Sequence, residues 1–267
     1  MGRLMAANLT KAYSVRSFDL NGKGSCKSAR EAAWGADALI TMLPDGDAVR
    51  DAVLDALPAL KPAAVVVDMS SSDPTGTRAL GRALAARKVH MVDAPVSGAR
   101  FKAKDGTLAI MVGGEKKAVR QVMPVLKKLG TEIFHVGPLG AGHAVKALNN
   151  YLGAAGTLAG FEALLIAQKF GLDPEPMLEA INASTGRNST TARKIPQDVL
   201  TGAFASGFKL SLMTKDVGIA ADLARGLRIN TPFLKETLKH WKAAQKRLPR
   251  DADHTEIYKY QKKLKRR

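Results

Sequence analysis

The amino-acid sequence predicts an α/β half built on a doubly wound parallel sheet, followed by an all-α half. Two observations carry this. Short β-branched and apolar runs alternate with longer alanine-rich helical patterns up to residue 139, and from Gly140 onward the strand-like runs stop. Such alternation is the signature of a sheet whose helical crossovers cover both faces. In order, MGRLMAANLTKAY reads as a first helix leading into a strand SVRSFD (14–19). ADALITML (36–43), AAVVVDMS (63–70), KVHMVDAPV (88–96), TLAIMVGG (107–114) and TEIFHVG (131–137) follow as further strands. Residues 141–170 read as one nearly continuous helix ending at Gly171, with further helices over 174–184, 189–201, 211–226 and 232–247. The expected domains are 1–139 and 140–267.

With 267 residues and 46% hydrophobic content the chain can bury a substantial core. No apolar run approaches the roughly 18 residues of a membrane-spanning helix, and the first thirty residues lack the apolar core of a signal peptide, so a cytoplasmic protein is expected. The single cysteine, Cys26, excludes an internal disulfide framework, and five scattered histidines give metal chemistry little support. The formal charge of +17 favours anionic partners in general. Much of the excess lies in 239–250 and in the terminal KYQKKLKRR, without an aromatic-rich RNA motif or zinc finger, so it reads as a solvated basic surface and nucleic acid is not the expected partner.

Ligands of doubly wound sheets bind outside the carboxyl ends of the strands. Three stretches fall there: MLPDGD (42–47), DMSSSDPTGT (68–77) and DAPVSGA (93–99). Ser70, Ser71 and Ser72 before Asp73-Pro74 read first as an ordinary helix start, because serine and aspartate cap and proline suits the first turn. Ser97 and Gly98 make either a plain loop or one whose hydroxyl and open backbone N–H groups hold an anion. Asp19 closes an apolar run near the roughly 20-residue spacing at which a dinucleotide-binding, Rossmann-type unit places its ribose-binding acid. A turn or capping aspartate would look the same. Gly2 alone is no motif.

In GAGHAVKALNN (140–150) Lys146 stands among small residues with Asn150 four positions on, so both project from one helical face. Desolvation there would lower the lysine's proton affinity toward the range of a general base. An isolated lysine is ordinarily a snorkelling surface side chain, and the surrounding pattern has to decide.

That pattern resembles the β-hydroxyacid dehydrogenase family, which includes 3-hydroxyisobutyrate dehydrogenases and tartronate semialdehyde reductases. The likeness runs from Gly2 essentially to the C-terminus and rests on MGRLMAANL, ITMLPDGDAV, DMSSSDP, DAPVSGA with GTLAIMVGG, GPLGAGHAVKALNN, LSLMTKDVGIAADLA and DADHTEIY. The resemblance implies a Rossmann-type domain and a helical domain, with NAD as cofactor and NADP as the alternative. It implies that Lys146 is the catalytic lysine, that Asn150 hydrogen-bonds the substrate, and that Ser97 and Gly98 hold its carboxylate. Lys215, oriented by Asp216, would reach cofactor and substrate. Leu43, Pro44 and Ser72 would line the cofactor site, Gly2 would be the last glycine of the phosphate turn, and Asp19 would accept the ribose hydroxyls, a carboxylate there disfavouring a 2′-phosphate. A hydroxy-carboxylate substrate and a homodimer or homotetramer packed through the long helix are the implied partners. Imine reductases share the architecture, but Lys146 argues against that branch, and phosphogluconate dehydrogenases would need a much longer helical half.

The sequence departs from the family in three ways. The first strand and the first two glycines of the turn have no counterpart after Met1, so a start upstream of Met1 is expected. Ala99 replaces a second glycine, and the charge is unusually basic. The competing reading is a degenerate, non-catalytic dehydrogenase-like protein that binds anions through its basic surface.

Overall fold

The computed structural model describes residues 1–264; Lys265, Arg266 and Arg267, the end of the basic tail, lie outside the described residues. The chain divides into two compact units, Met1–Lys146 and Ala147–Arg267.

In the first unit, helix α1 (Gly2–Leu9) precedes α2 (Ala29–Ala33) and strand β1 (Ala38–Thr41). Then come α3 (Gly46–Ala56), β2 (Val65–Asp68), α4 (Pro74–Ala85), β3 (His90–Asp93), β4 (Val96–Ser97), α5 (Ala99–Asp105), β5 (Leu108–Gly114), α6 (Lys116–Leu126) and β6 (Gly130–Gly137). β1, β2 and β3 are parallel neighbours, and β6 runs parallel to β5. Side chains of β2 alternate between two cores, Val65 and Val67 packing with Met5, Val119 and Leu126, and Val66 with Val53, Leu80 and Leu84. Burial on both faces explains why this strand reads as an unbroken apolar run.

Two sequence expectations change. The sheet is not wholly parallel: β5 runs antiparallel to β3 and β4, because the link between β4 and β5 is a single short helix, too short for the crossover a parallel neighbour needs. The run SVRSFD is irregular rather than a strand, so Asp19 sits in a turn. The segment bonds locally, Cys26 N–H donating to Ser17 O and Ser17 N–H to Ser25 Oγ. A strand needs a neighbour for its backbone groups, and β1, which pairs with β2, has no strand of the described residues beside 14–19 to offer it.

Helix α7 (Ala141–Phe170) runs on from the first unit into the second, which adds α8 (Pro174–Asn182), a wide π-helical segment Thr190–Val199 containing Pro196, α9 (Leu210–Gly226), α10 (Pro232–Gln245) and α11 (Ile257–Lys262). Gly171, at φ +97°, ends α7 where the sequence placed its stop. Phe161, Leu164, Trp241 and Ile257 centre the helical core. No described helix is long and apolar enough to cross a membrane.

Candidate active site

In the first unit, register brings three polar residues level at the carboxyl ends of adjacent strands: Thr41 pairs with Asp68, and Asp68 with Asp93. Both aspartates are fully buried. Asp68 Oδ1 accepts from Thr41 Oγ1 at 2.9 Å and from the Ser70 N–H at 2.9 Å, while Oδ2 accepts from Ser72 Oγ at 2.7 Å. Ser70 Oγ in turn accepts from the Leu43 N–H at 2.9 Å. One buried carboxylate thus orders both loops that follow β1 and β2, and with them Leu43 and Ser72. The serines therefore do not cap α4. Asp73 does, accepting from Gly76 N–H at 2.6 Å, with Pro74 in the first turn.

Asp93 holds the start of α7: its Oδ1 accepts from the Gly140 N–H and its Oδ2 from the His143 N–H, both at 2.7 Å. Carboxylates suit the donor-rich helix N-terminus. Close approach explains the small residues here, since a Cβ on Gly142 would meet Met111 O at 2.3 Å and one on Gly113 would meet Asp93 Oδ1 at 2.4 Å. Lys146 follows one turn on, 9% exposed. Ser97 is half-buried, and Gly98 adopts φ +134°, with the space of its missing Cβ taken by the Lys102 side chain. The following Ala99 is left-handed at φ +56°.

Gly2 opens α1, whose N-terminus has no side-chain cap, and lies against Met42. Asp19 accepts from the backbone and side-chain N–H groups of Asn21, hydrogen bonds that hold its carboxyl below the usual carboxylate range. Pro44 is exposed beyond Leu43.

In the second unit, Asn150, on α7 four residues after Lys146, donates through Nδ2 to Asp216 Oδ2 at 2.6 Å. The other Asp216 oxygen lies 3.3 Å from Lys215 Nζ, an ion pair rather than an aligned hydrogen bond. Asp216 is buried and so joins the two residues that the family resemblance singles out there. Among the described residues no group of three histidines, cysteines or acids could hold a metal ion.

Asp68, Asp93 and His143 lie within the sequence motifs, yet none of the three stands out there as a functional residue. The signal was present: an aspartate closing an apolar strand run at a sheet's carboxyl edge is an acid that folding buries, and a buried acid must be paired.

Comparison with known proteins places the chain among dehydrogenases. Residues 1–137 match the family described as the NAD binding domain of 6-phosphogluconate dehydrogenase, and residues 140–261 the family described as NAD-binding of NADP-dependent 3-hydroxyisobutyrate dehydrogenase. The chain is 36% identical to a 2-(hydroxymethyl)glutarate dehydrogenase of Eubacterium barkeri over 247 residues, 87% of this chain and 82% of that one. It is 36% identical to an NAD-dependent L-serine dehydrogenase of Pseudomonas aeruginosa over 253 residues, 87% and 85% of the two chains. A solved structure of a Mycobacterium tuberculosis 3-hydroxyisobutyrate dehydrogenase with L-serine superposes with a TM-score of 0.92 at 31% identity, covering 98% of this chain and 95% of the other.

Proposed function

The chain belongs to the β-hydroxyacid dehydrogenase family, and from that premise we propose that it is an NAD-dependent oxidoreductase acting on the carbinol carbon of a small 3-hydroxy acid. The observation that carries the reading is Lys146, a buried lysine on a helix whose start is fixed by Asp93, with Asn150 one turn on and held by Asp216.

The residues present fit the dinucleotide. The uncapped α1 N-terminus behind Gly2 suits a pyrophosphate, the Asp68-ordered loops bring Leu43, Pro44 and Ser72 to the strand ends, and Asp19 supplies a carboxylate for ribose hydroxyls. That carboxylate supports NAD over NADP, although Arg16 and Lys23 lie nearby in sequence. When bound, the nicotinamide accepts or donates the hydride. Unprotonated Lys146 takes the hydroxyl proton in oxidation, and its ammonium form returns a proton to the forming alkoxide in reduction. Ser97 and the Gly98 backbone hold the substrate carboxylate, Asn150 its hydroxyl, and Lys215 steadies substrate and cofactor. The acid is drawn from 3-hydroxyisobutyrate, glycerate or tartronate semialdehyde, and threonate.

The test is a titration of NADH, with NADPH alongside, followed by nicotinamide fluorescence and thermal stability, then a screen of those acids. Tighter binding of NADH and turnover of one acid are expected. Lys146→Ala should abolish turnover while NADH affinity stays within about threefold, because the lysine acts on a proton and not on the dinucleotide. Salt-dependent affinity for polyanions with no NADH binding would instead favour the non-catalytic reading, to which the irregular 14–19 segment lends some weight.

A further inference from the structure

His143 has no place in the reaction as described, yet its ring is fully enclosed, with 1% of the residue exposed. Its ring lies between α4 and the carboxylates at the strand ends. Nδ1 lies 2.8 Å from Thr77 Oγ1, and that hydroxyl also lies 2.9 Å from Asp73 O; with its proton turned to Nδ1, the ring carries its own proton on Nε2. Nε2 faces Asp68 Oδ2 across 3.5 Å, a close polar approach rather than an aligned hydrogen bond, and makes no hydrogen bond among the described residues. Asp68 Oδ2 accepts from Ser72 Oγ and, with two lone pairs, retains capacity for a second donor. The backbone N–H of His143 is meanwhile held by Asp93. One residue therefore touches both strand-end carboxylates, by ring and by main chain, and it sits three positions before Lys146, adjacent on the helix surface.

We propose that His143 is a positioning residue for the reaction, the latch through which the Asp68 hub, and hence the loops carrying Leu43 and Ser72, is registered against the helical turn that carries Lys146. Loss of the Asp68 contact frees the loops from that turn without removing any group that touches substrate. The ring's bulk alone would not do this, because Asp68 already accepts three donors and would stay buried with any filler of similar size. The proposal rests on the dehydrogenase reading for the role of Lys146, but the latch itself is a property of the free protein.

Two amide substitutions separate the contacts. Glutamine places its side-chain nitrogen near the position of Nε2 and keeps the reach to Asp68; asparagine matches Nδ1 and keeps the reach to Thr77 alone. His143→Gln, His143→Asn and His143→Leu should be compared with the unaltered chain by amide hydrogen exchange without cofactor, read at Leu43 and Ser70, whose N–H groups end on the hub. In His143→Asn and His143→Leu both amides should exchange about tenfold faster, as the carboxylate loses the ring that faces it, while His143→Gln stays within about threefold. Turnover should follow the same order, with kcat down about tenfold in the first two variants and KM for the acid little changed. Unchanged exchange in His143→Asn, or equal exchange in the Gln and Leu variants, would overturn the latch and leave His143 as packing. Should His143→Leu fail to fold, the Asn and Gln pair decides alone. If the unaltered chain neither binds NADH nor turns over any acid, the dehydrogenase reading fails while the exchange comparison still decides the latch.

Discussion

Asp216 serves two side chains at once, Asn150 through a 2.6 Å hydrogen bond and Lys215 through an ion pair. It touches no substrate in the proposed reaction, so its effect should be one of placement. Asp216→Ala removes the hydrogen bond of Asn150 Nδ2 and the ion pair with Lys215, and kcat/KM is expected to fall at least about tenfold with a smaller loss of NADH affinity; an unchanged kcat/KM would remove Asp216 from the placement of either residue. Ala99 is a second residue with a readable cost. Its left-handed backbone is uncomfortable for any side chain with a Cβ, by about 1 kcal/mol; glycine removes that strain, but the greater freedom it gives the unfolded chain offsets part of the gain. Ala99→Gly should therefore stabilise by about 0.5 kcal/mol, visible as a small rise in Tm. A clear fall in Tm would mean that the alanine methyl packs usefully.

The longest element, α7, carries two different faces. One presents Lys146 and Asn150, buried. Another presents Leu148, Leu152, Ala159, Ile166 and Phe170, whose spacing puts them within about 40° of one another around the helix and along about 33 Å of its length. Leu152 is 68% exposed, Ile166 70% and Phe170 81%. An apolar stripe of this length on a well-formed helix supports the homodimer or homotetramer that the family resemblance implies, a second copy packing its own stripe against this one. The double substitution Leu152→Glu with Ile166→Glu should convert a dimer to monomers in light scattering after gel filtration, since each buried branched side chain contributes about 2 kcal/mol. A monomer before any substitution would remove the proposal. At the other end of the chain, the failure of 14–19 to form a strand shows how an element depends on its neighbours: SVRSFD offers the strand-favouring Val15 and Phe18, but isolated extended backbone has nowhere to place its N–H and C=O groups.

Stability of the whole molecule should depend on pH through a buried cluster in the helical unit. Lys194, on the π-helical segment, donates to Thr157 Oγ1 at 2.7 Å, and burial pulls its proton affinity down from 10.5 to about 8. His254 stacks on Trp241 and shares Ser206, and burial, reinforced by the charge of Lys194, lowers its value from 6.5 to about 4. For Lys194 the folded chain holds the proton less tightly than the unfolded chain. The cost of the buried ammonium, about 3 kcal/mol, is then complete below pH 8 and fades as pH rises toward 10.5. Lys194→Met should accordingly raise Tm at pH 7, net of one lost hydrogen bond, and the gain should shrink between pH 8 and pH 10. A pH-independent gain would point to packing. For His254 the same sign puts the loss at the acid end: stability should decline as pH falls from 6.5 toward 4, as the unfolded chain takes up a proton that the folded chain refuses. Asp253, raised by burial but lowered further by its hydrogen bonds with Thr255 and Ser206, continues the decline at lower pH, as the unfolded carboxylate takes up its proton from 3.8 downward.

The sequence by itself determined the layered first half, the helical second half and the place where α7 stops, because hydrophobic periodicity, Asp-Pro starts and a terminal glycine act over a few residues and carry their own signal. Lys146, Asn150, Ser97 and Lys215 were legible as motif positions, since their spacing along the chain is part of the resemblance. Only the tertiary structure decided that SVRSFD is no strand, that β5 runs antiparallel to β3, that Ser70 and Ser72 serve Asp68 rather than α4, and that His143 joins Asp68 to the helix of Lys146. Each of these depends on partners far away along the chain. A backbone or side-chain polar group is satisfied by whatever the fold brings within about 3 Å of it, and that proximity is written in no local stretch of residues.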